Sequence, residues 1–105
     1  MPYAVFYSPL ARNDLRQIFR DVLTASADPD TAFRYVRDLT EEISSRADYP
    51  KTGFPLYYEG LFTGFYSVNF KAYKAFYHLR DLRIEIIRIL PVRSDYGRIL
   101  FPEED

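Results

Sequence analysis

Hydrophobic positions recur with a helical period in the first half of the chain and with a strand-like pattern in the second. Ala11, Leu15, Ile18, Phe19 and Val22 follow one another at steps of 4, 3, 1 and 3, which places them on one face of an α-helix. Ala32, Val36, Leu39, Ile43 and Ala47 form a second stripe of the same kind. Each stripe is preceded by a start signal, Ser8-Pro9 and Asp28-Pro29. A side-chain oxygen there can accept from the free amides of the first turn, and a proline in that turn gives up an N–H that has no intrahelical partner anyway. The first helix is expected to end near residues 25–27 and the second near Asp48. Ahead of both, residues 3–7 have the β-branched and aromatic content of a short strand.

The cluster Tyr49-Pro50-Lys51-Thr52-Gly53-Phe54-Pro55 breaks the helical pattern and reads as the start of a loop reaching roughly Gly64. Strands are then expected at 65–70, 73–79 and 83–90, the last two joined by a tight hairpin around Arg80-Asp81-Leu82. Ile84, Ile86, Ile87, Ile89 and Leu90 depart from alternation, as in a strand apolar on both faces, and predict a central position for it. Pro91 ends that strand, and residues 94–100 have room for a last short helical turn. The order is β-α-α-β-β-β, an α+β arrangement in which two amphipathic helices need a sheet to cover their apolar faces. A chain of 105 residues is of one-domain length, so 1–105 is read as a single domain.

This order and several local motifs resemble the RelE/ParE family of bacterial toxins. Ser8, Pro9, Ala11, Asp14 and Leu15 match the family's Ser-Pro-X-Ala-X-X-Asp-Leu, and Tyr49-Pro50-Lys51-Thr52-Gly53 is similar to its Phe-Pro-X-X-Gly. Tyr73-Lys74-Ala75-Phe76-Tyr77 resembles its aromatic-basic-X-X-Tyr strand, and Arg93-Ser94-Asp95-Tyr96-Gly97-Arg98-Ile99-Leu100 its C-terminal tail. The resemblance runs over residues 3–101. It implies a helical hairpin packed on a small, mostly antiparallel sheet.

Composition narrows the chemistry. The chain has no Cys, which excludes disulfides, thiolate catalysis and Cys-ligated metals. No run approaches the roughly 18 apolar residues of a membrane span, and the first residues lack the features of a secretory signal, so a cytoplasmic protein without membrane partner is expected. The net charge of −1 is unevenly spread. Residues 1–50 carry six Arg against eight Asp and Glu, residues 51–101 carry eight Lys and Arg against four Asp and Glu, and Glu103, Glu104 and Asp105 follow. The basic second half suits an acidic or phosphate-bearing partner. Ten Tyr and nine Phe are more than a small core consumes; Phe33, Tyr35, Phe54, Tyr57, Tyr58, Phe62, Phe65 and Tyr66 are candidates for exposed surface.

The catalytic inventory is thin. His78 is the only histidine, too few for a His-based acid–base pair or a multi-His metal site, and is expected on a sheet face. The four glycines form no phosphate loop. Asp14, Asp21, Glu41 and Glu42 are expected on solvated helix surface, off the apolar stripes. Lys71, Lys74, Arg88, Arg93, Tyr96 and Arg98 remain; for Asp95 and Tyr96 an anchoring role at the C-terminal turn is the alternative, with Arg93 and Asp95 free to pair.

The resemblance implies two readings of these residues. In a RelE-like ribosome-dependent mRNA interferase, Lys74, Arg93 and Tyr96 would be the catalytic set. Phe65, Ser67 and Asn69, however, occupy the strand where that group carries further lysines, and its C-terminal His-Tyr pair is absent. The ending is closer to ParE-like toxins, which inhibit DNA gyrase, although Pro91-Val92 stands where many of them have His-Gly. The expectation is therefore a ParE-like toxin without metal or other cofactor, contacting its target through Arg93, Arg98 and Lys74. Its partners would be gyrase (or ribosome and mRNA, in the alternative) and a cognate antitoxin, in a higher-order complex. Leu15, Phe19, Phe33 and Tyr66 are the expected antitoxin contacts. A non-toxic interaction domain of the same family is the third reading.

Overall fold

The computed structural model describes residues 3–102. The elements are β1 (Ala4–Tyr7), α1 (Pro9–Ser26), α2 (Pro29–Ser44), a 3-10 turn (Pro50–Thr52), β2 (Phe54–Tyr58), β3 (Leu61–Phe70), β4 (Tyr73–Arg80), β5 (Arg83–Pro91) and α3 (Tyr96–Leu100). The five strands form one sheet in the order β1-β5-β4-β3-β2, in which β1–β5 is parallel and the other pairs antiparallel. The predicted α+β architecture is thus present. Among the described residues, no helix is long and apolar enough to cross a membrane.

Both helix starts follow the sequence signals. Ser8 Oγ accepts from the Ala11 amide at 3.0 Å, and Asp28 accepts from the Asp30 amide at 3.2 Å and the Thr31 hydroxyl at 2.6 Å. α1 ends at Ala27, which turns into the left-handed region (φ 55°) and donates its N–H to Leu23 O at 2.8 Å. α2 stops at Ser44, short of the expected Asp48. The Ser45 hydroxyl donates to Glu42 O at 2.6 Å, and the chain then swings across to let Ala47 O accept from the Tyr3 amide at 2.8 Å. Ala47 still packs against the core, which is why it continued the apolar stripe.

The expected loop from Tyr49 to Gly64 is mostly an additional hairpin, β2 and the first half of β3. Its prolines and glycines are compatible with strand for local reasons. Pro55 lies in the edge strand β2, where a missing N–H is tolerated. Glu59 and Gly60, both at positive φ (52° and 81°), form the primed two-residue turn that a twisted hairpin requires. The extra strand also changes the position expected for β5. It is interior, between β1 and β4, while β4 holds the middle and buries Ala75, Phe76 and Tyr77 in succession.

The helices cover one sheet face. Ile18, Leu39 and Ile43 belong to one buried cluster with Val68, Ala75, Tyr77, Ile84, Ile86 and Ile89. Gly53 is dictated by this packing. A Cβ there would overlap the Tyr77 hydroxyl and lie 2.9 Å from Ser67 O, and that hydroxyl donates to Pro50 O at 2.5 Å. The short proline-glycine motif is thereby pinned to the middle strand.

β1 pairs with β5 only as far as Ile86. Beyond it, the start of α1 takes over the open edge. Ser8 N donates to Ile86 O at 2.9 Å and Ser8 Oγ to Ile87 O at 2.8 Å, while the Asp14 carboxylate accepts from the Ile89 amide at 2.9 Å. Asp14 also takes two hydrogen bonds from Arg88, at 2.8 and 3.1 Å. Its side chain is only 14% exposed, which corrects the expectation of a solvated Asp14. Asp21 and Glu41 are exposed as expected, and Glu42 is half-buried, paired with Arg46 at 3.4 Å.

Candidate functional site

The C-terminal residues singled out in the sequence meet at one end of the sheet. β5 ends at Pro91, and the following bend is held by Val92 N donating to Ala72 O at 2.8 Å and Ser94 N to Pro91 O at 2.9 Å. Asp95 caps α3 by accepting from the Arg98 amide at 3.4 Å. Tyr96 then lies against buried Phe76, with ring centroids 5.2 Å apart, and the Lys74 ammonium sits 5.2 Å over the Tyr96 ring. Phe101 closes the segment, stacked on Tyr58 at 5.0 Å and edge-on to Phe65 at 5.7 Å. The short α3 is thus docked on the face opposite the helical hairpin by aromatic contacts.

Lys74, Tyr96, Arg93 and Arg98 therefore share a neighbourhood, and their chemical freedom differs. Lys74 is half-buried and committed to a ring face. Arg93 is exposed and forms no ion pair or side-chain hydrogen bond among the described residues. It does not pair with Asp95. Arg98 approaches Asp95 only at 3.9 Å, with 86% of its own side chain exposed, so this contact leaves the guanidinium available. Asp95 and Tyr96 do anchor the C-terminal turn.

The other candidates stand apart. Arg88 is spent on Asp14, whose hydrogen bond raises its pKa further above the ordinary guanidinium value. The Lys71 ammonium lies over the rings of Tyr35 and Phe70, at 5.1 and 5.3 Å. His78 is on the sheet face, as expected, stacked on Phe65 at 5.5 Å and 3.6 Å from Glu85. No group of His, Asp or Glu among the described residues is arranged to hold a metal ion.

The four expected antitoxin contacts do not form one patch. Leu15 and Tyr66 pack against the core, Tyr66 between Phe62 and Tyr77 at 5.5 and 5.7 Å. Phe19 and Phe33 meet at 4.8 Å across the helical hairpin, and Phe33 remains 65% exposed. Arg12, Arg16 and Arg20 follow one another at four-residue steps on α1, all exposed, so cations run beside this aromatic pair. Of the aromatics expected at the surface, Tyr58 and Phe65 are occupied by Phe101 and Tyr35 by Phe70 and Tyr73, whereas Phe54, Tyr57 and Phe62 stay exposed. Phe101 was missed as a site residue. The hydrophobic Ile-Leu-Phe run after Arg98 is the signal that it docks.

Comparison with known proteins bears on the family and the fold. Residues 5–96 match the family model described as the ParE toxin of type II toxin–antitoxin systems, parDE. The fold is similar to a chain of the chromosomal ParDE toxin–antitoxin system from P. aeruginosa, with a TM-score of 0.71 and 20% identity over 87% of this chain and 97% of that one. It is also similar to a chain of the RelBE2 toxin–antitoxin complex from Mycobacterium tuberculosis, with a TM-score of 0.55 and 24% identity over 87% and 99% of the respective chains. No curated protein matches the chain.

Proposed function

The chain belongs to the ParE toxin family of type II toxin–antitoxin systems, and from that membership we propose that it poisons DNA gyrase by binding rather than by cutting RNA. The observation that carries this reading is the state of the C-terminal cluster. Two exposed guanidinium groups, Arg93 and Arg98, flank a lysine and a tyrosine already engaged with each other. Such a surface suits recognition of an acidic or phosphate-bearing partner. Proton transfer at a ribose would need a free acid–base group, and the sole histidine is stacked on Phe65 beside Glu85.

In this reading a cognate antitoxin neutralises the toxin by laying an amphipathic, acidic segment over Phe19 and Phe33, flanked by Arg12, Arg16 and Arg20. Leu15 and Tyr66, packed against the core, lie outside that surface as supporting residues of the fold. The RelE-like alternative keeps one observation in its favour: the Lys74 ammonium lies over the Tyr96 ring, which brings two of its three expected catalytic residues together.

Controlled expression in a bacterium separates the two. Induction of the DNA-damage response with filamentation, and intact mRNA, is expected. Halted translation with mRNA cleaved on ribosomes, abolished by Arg93→Ala, would overturn the gyrase reading in favour of the interferase.

A further inference from the structure

Where the last turns of α1 pass the β3–β4 turn, an open hollow of about 400 Å³ is lined by Asp21, Val22 and Ala25 of the helix and by Tyr35, Ala72 and Tyr73. Its two alanines are small enough to leave the space open. The turn that forms one side is fixed, because Ala72 O accepts from Val92 N at 2.8 Å. The rings of Tyr35 and Tyr73 meet nearly at a right angle, 81°, with centroids 6.1 Å apart, and make two aromatic walls.

Asp21 is the one charged residue of this lining. Its Oδ1 accepts from Gln17 Nε2 at 2.8 Å, and it forms no ion pair among the described residues. The cations around it lie outside the hollow: Arg88, in an adjoining hollow, is held by Asp14, and Lys71 and Arg34 line a separate one beside Tyr35. Burial raises the pKa of the Tyr73 hydroxyl, and the Asp21 charge raises it further, in keeping with a carboxylate close to that ring.

We propose that this hollow binds an alkylammonium group, with Asp21 as its counter-charge, Tyr35 and Tyr73 as its aromatic walls, and Val22 and Ala25 against its aliphatic stem. Aromatic faces and a carboxylate attract a cation and repel an anion. A neutral apolar ligand would leave the carboxylate unused. Because Gln17 already takes one oxygen of Asp21, the free one suits a point charge better than the two-pronged fork of a guanidinium. The lysine side chain of a partner and a free alkylamine present the same group. Neither Arg93 nor Arg98 lines the hollow, so the proposal does not depend on which target the toxin poisons.

The test is a nuclear magnetic resonance titration of the isotope-labelled full chain with three probes: n-butylammonium, Nα-acetyl-lysine N-methylamide and, as the neutral control, n-butanol. Both ammonium probes are expected to saturate at millimolar concentrations. They should shift the amides of Asp21, Ala72 and Tyr73, and their own methylene protons beside the nitrogen should move upfield under the tyrosine rings. Tighter binding of the lysine probe identifies a protein side chain as the occupant, and equal binding a free amine. Asp21→Asn, at an exposed position, is expected to weaken both at least about tenfold with an unchanged melting temperature, and Asp21→Glu to retain them. Shifts that do not saturate, n-butanol binding as well as the ammonium probes, absence of the upfield shift, or an Asp21→Asn chain that binds like wild type each overturn the proposal.

Discussion

The carboxylate of Asp14, on the second turn of α1, grips the guanidinium of Arg88 on β5 through two hydrogen bonds and takes the Ile89 amide with the same oxygen that binds Arg88 Nε. Together with Ser8, which bonds Ile86 O and Ile87 O, this side chain replaces the strand that β5 lacks beyond Ile86. Asp14→Ala removes three hydrogen bonds and strands a partly buried cation. The expected loss is about 2–3 kcal/mol, below that of a fully buried pair because Arg88 keeps some solvent. Urea unfolding of Asp14→Ala, Arg88→Met and the double variant measures it, with the double variant less destabilised than the sum of the singles.

Gly53 and Tyr77 form a second dependence between distant motifs. Gly53→Ala forces a Cβ onto the Tyr77 hydroxyl and is expected to cost about 1–3 kcal/mol as overpacking. Tyr77→Phe, which leaves Pro50 O without its donor, is expected to cost about 1–3 kcal/mol. Adding Tyr77→Phe to Gly53→Ala should recover part of the first loss, because the overlapping oxygen is gone. Thermal melts of the three chains decide this.

Arg93→Ala is expected to abolish growth inhibition while changing stability by less than about 0.5 kcal/mol, since the side chain is exposed and unpaired among the described residues. Growth curves and a melting temperature measured side by side check both halves. A large fall in melting temperature would mean that Arg93 holds the C-terminal bend instead of meeting a target.

Phe33→Glu tests the antitoxin surface. The residue is exposed, so folding should be little changed, but an aromatic anchor would be replaced by a charge that repels an acidic segment. Antitoxin affinity is expected to fall at least about tenfold, or ~1.4 kcal/mol, by titration calorimetry.

Alkaline pH should unfold the protein through its tyrosines. Burial pushes the Tyr7 hydroxyl from 10.0 up to about 12, and it also raises Tyr35, Tyr73 and Tyr77. The unfolded chain then releases these protons first, so stability is fully present below about pH 10 and is lost as pH rises towards 12. The dependence of stability on pH between those limits should be shallower in Tyr7→Phe.

The sequence exposed those parts of the fold whose causes are local. Ser8-Pro9 and Asp28-Pro29 start helices because capping is decided within four residues, and β4 and β5 announce themselves by composition. The β2–β3 hairpin stayed hidden because Pro55 and Gly64 are breakers in a free segment, and only an edge position and a positive φ of 88° make them compatible with strand. The role of Asp14 is hidden for a related reason: its helical position lies off the apolar stripe, and its partner is 74 positions away. At the candidate site, the clustering of Lys74, Tyr96, Arg93 and Arg98 was legible from the tail motif. The docking of Phe101 depends on rings from two other strands, Tyr58 and Phe65.

The parallel pairing of β1 with β5 has a consequence for how the protein is made. Ser8 waits for Ile87, 79 positions later, and β1 has no other strand to join. While a ribosome is still elongating the chain, the helical hairpin can wind but has nothing complete to pack on, and its apolar faces stay uncovered. The toxin becomes able to fold only once β5 has left the exit tunnel. Any product cut short before that strand keeps its apolar helix faces uncovered, the state that proteases attack.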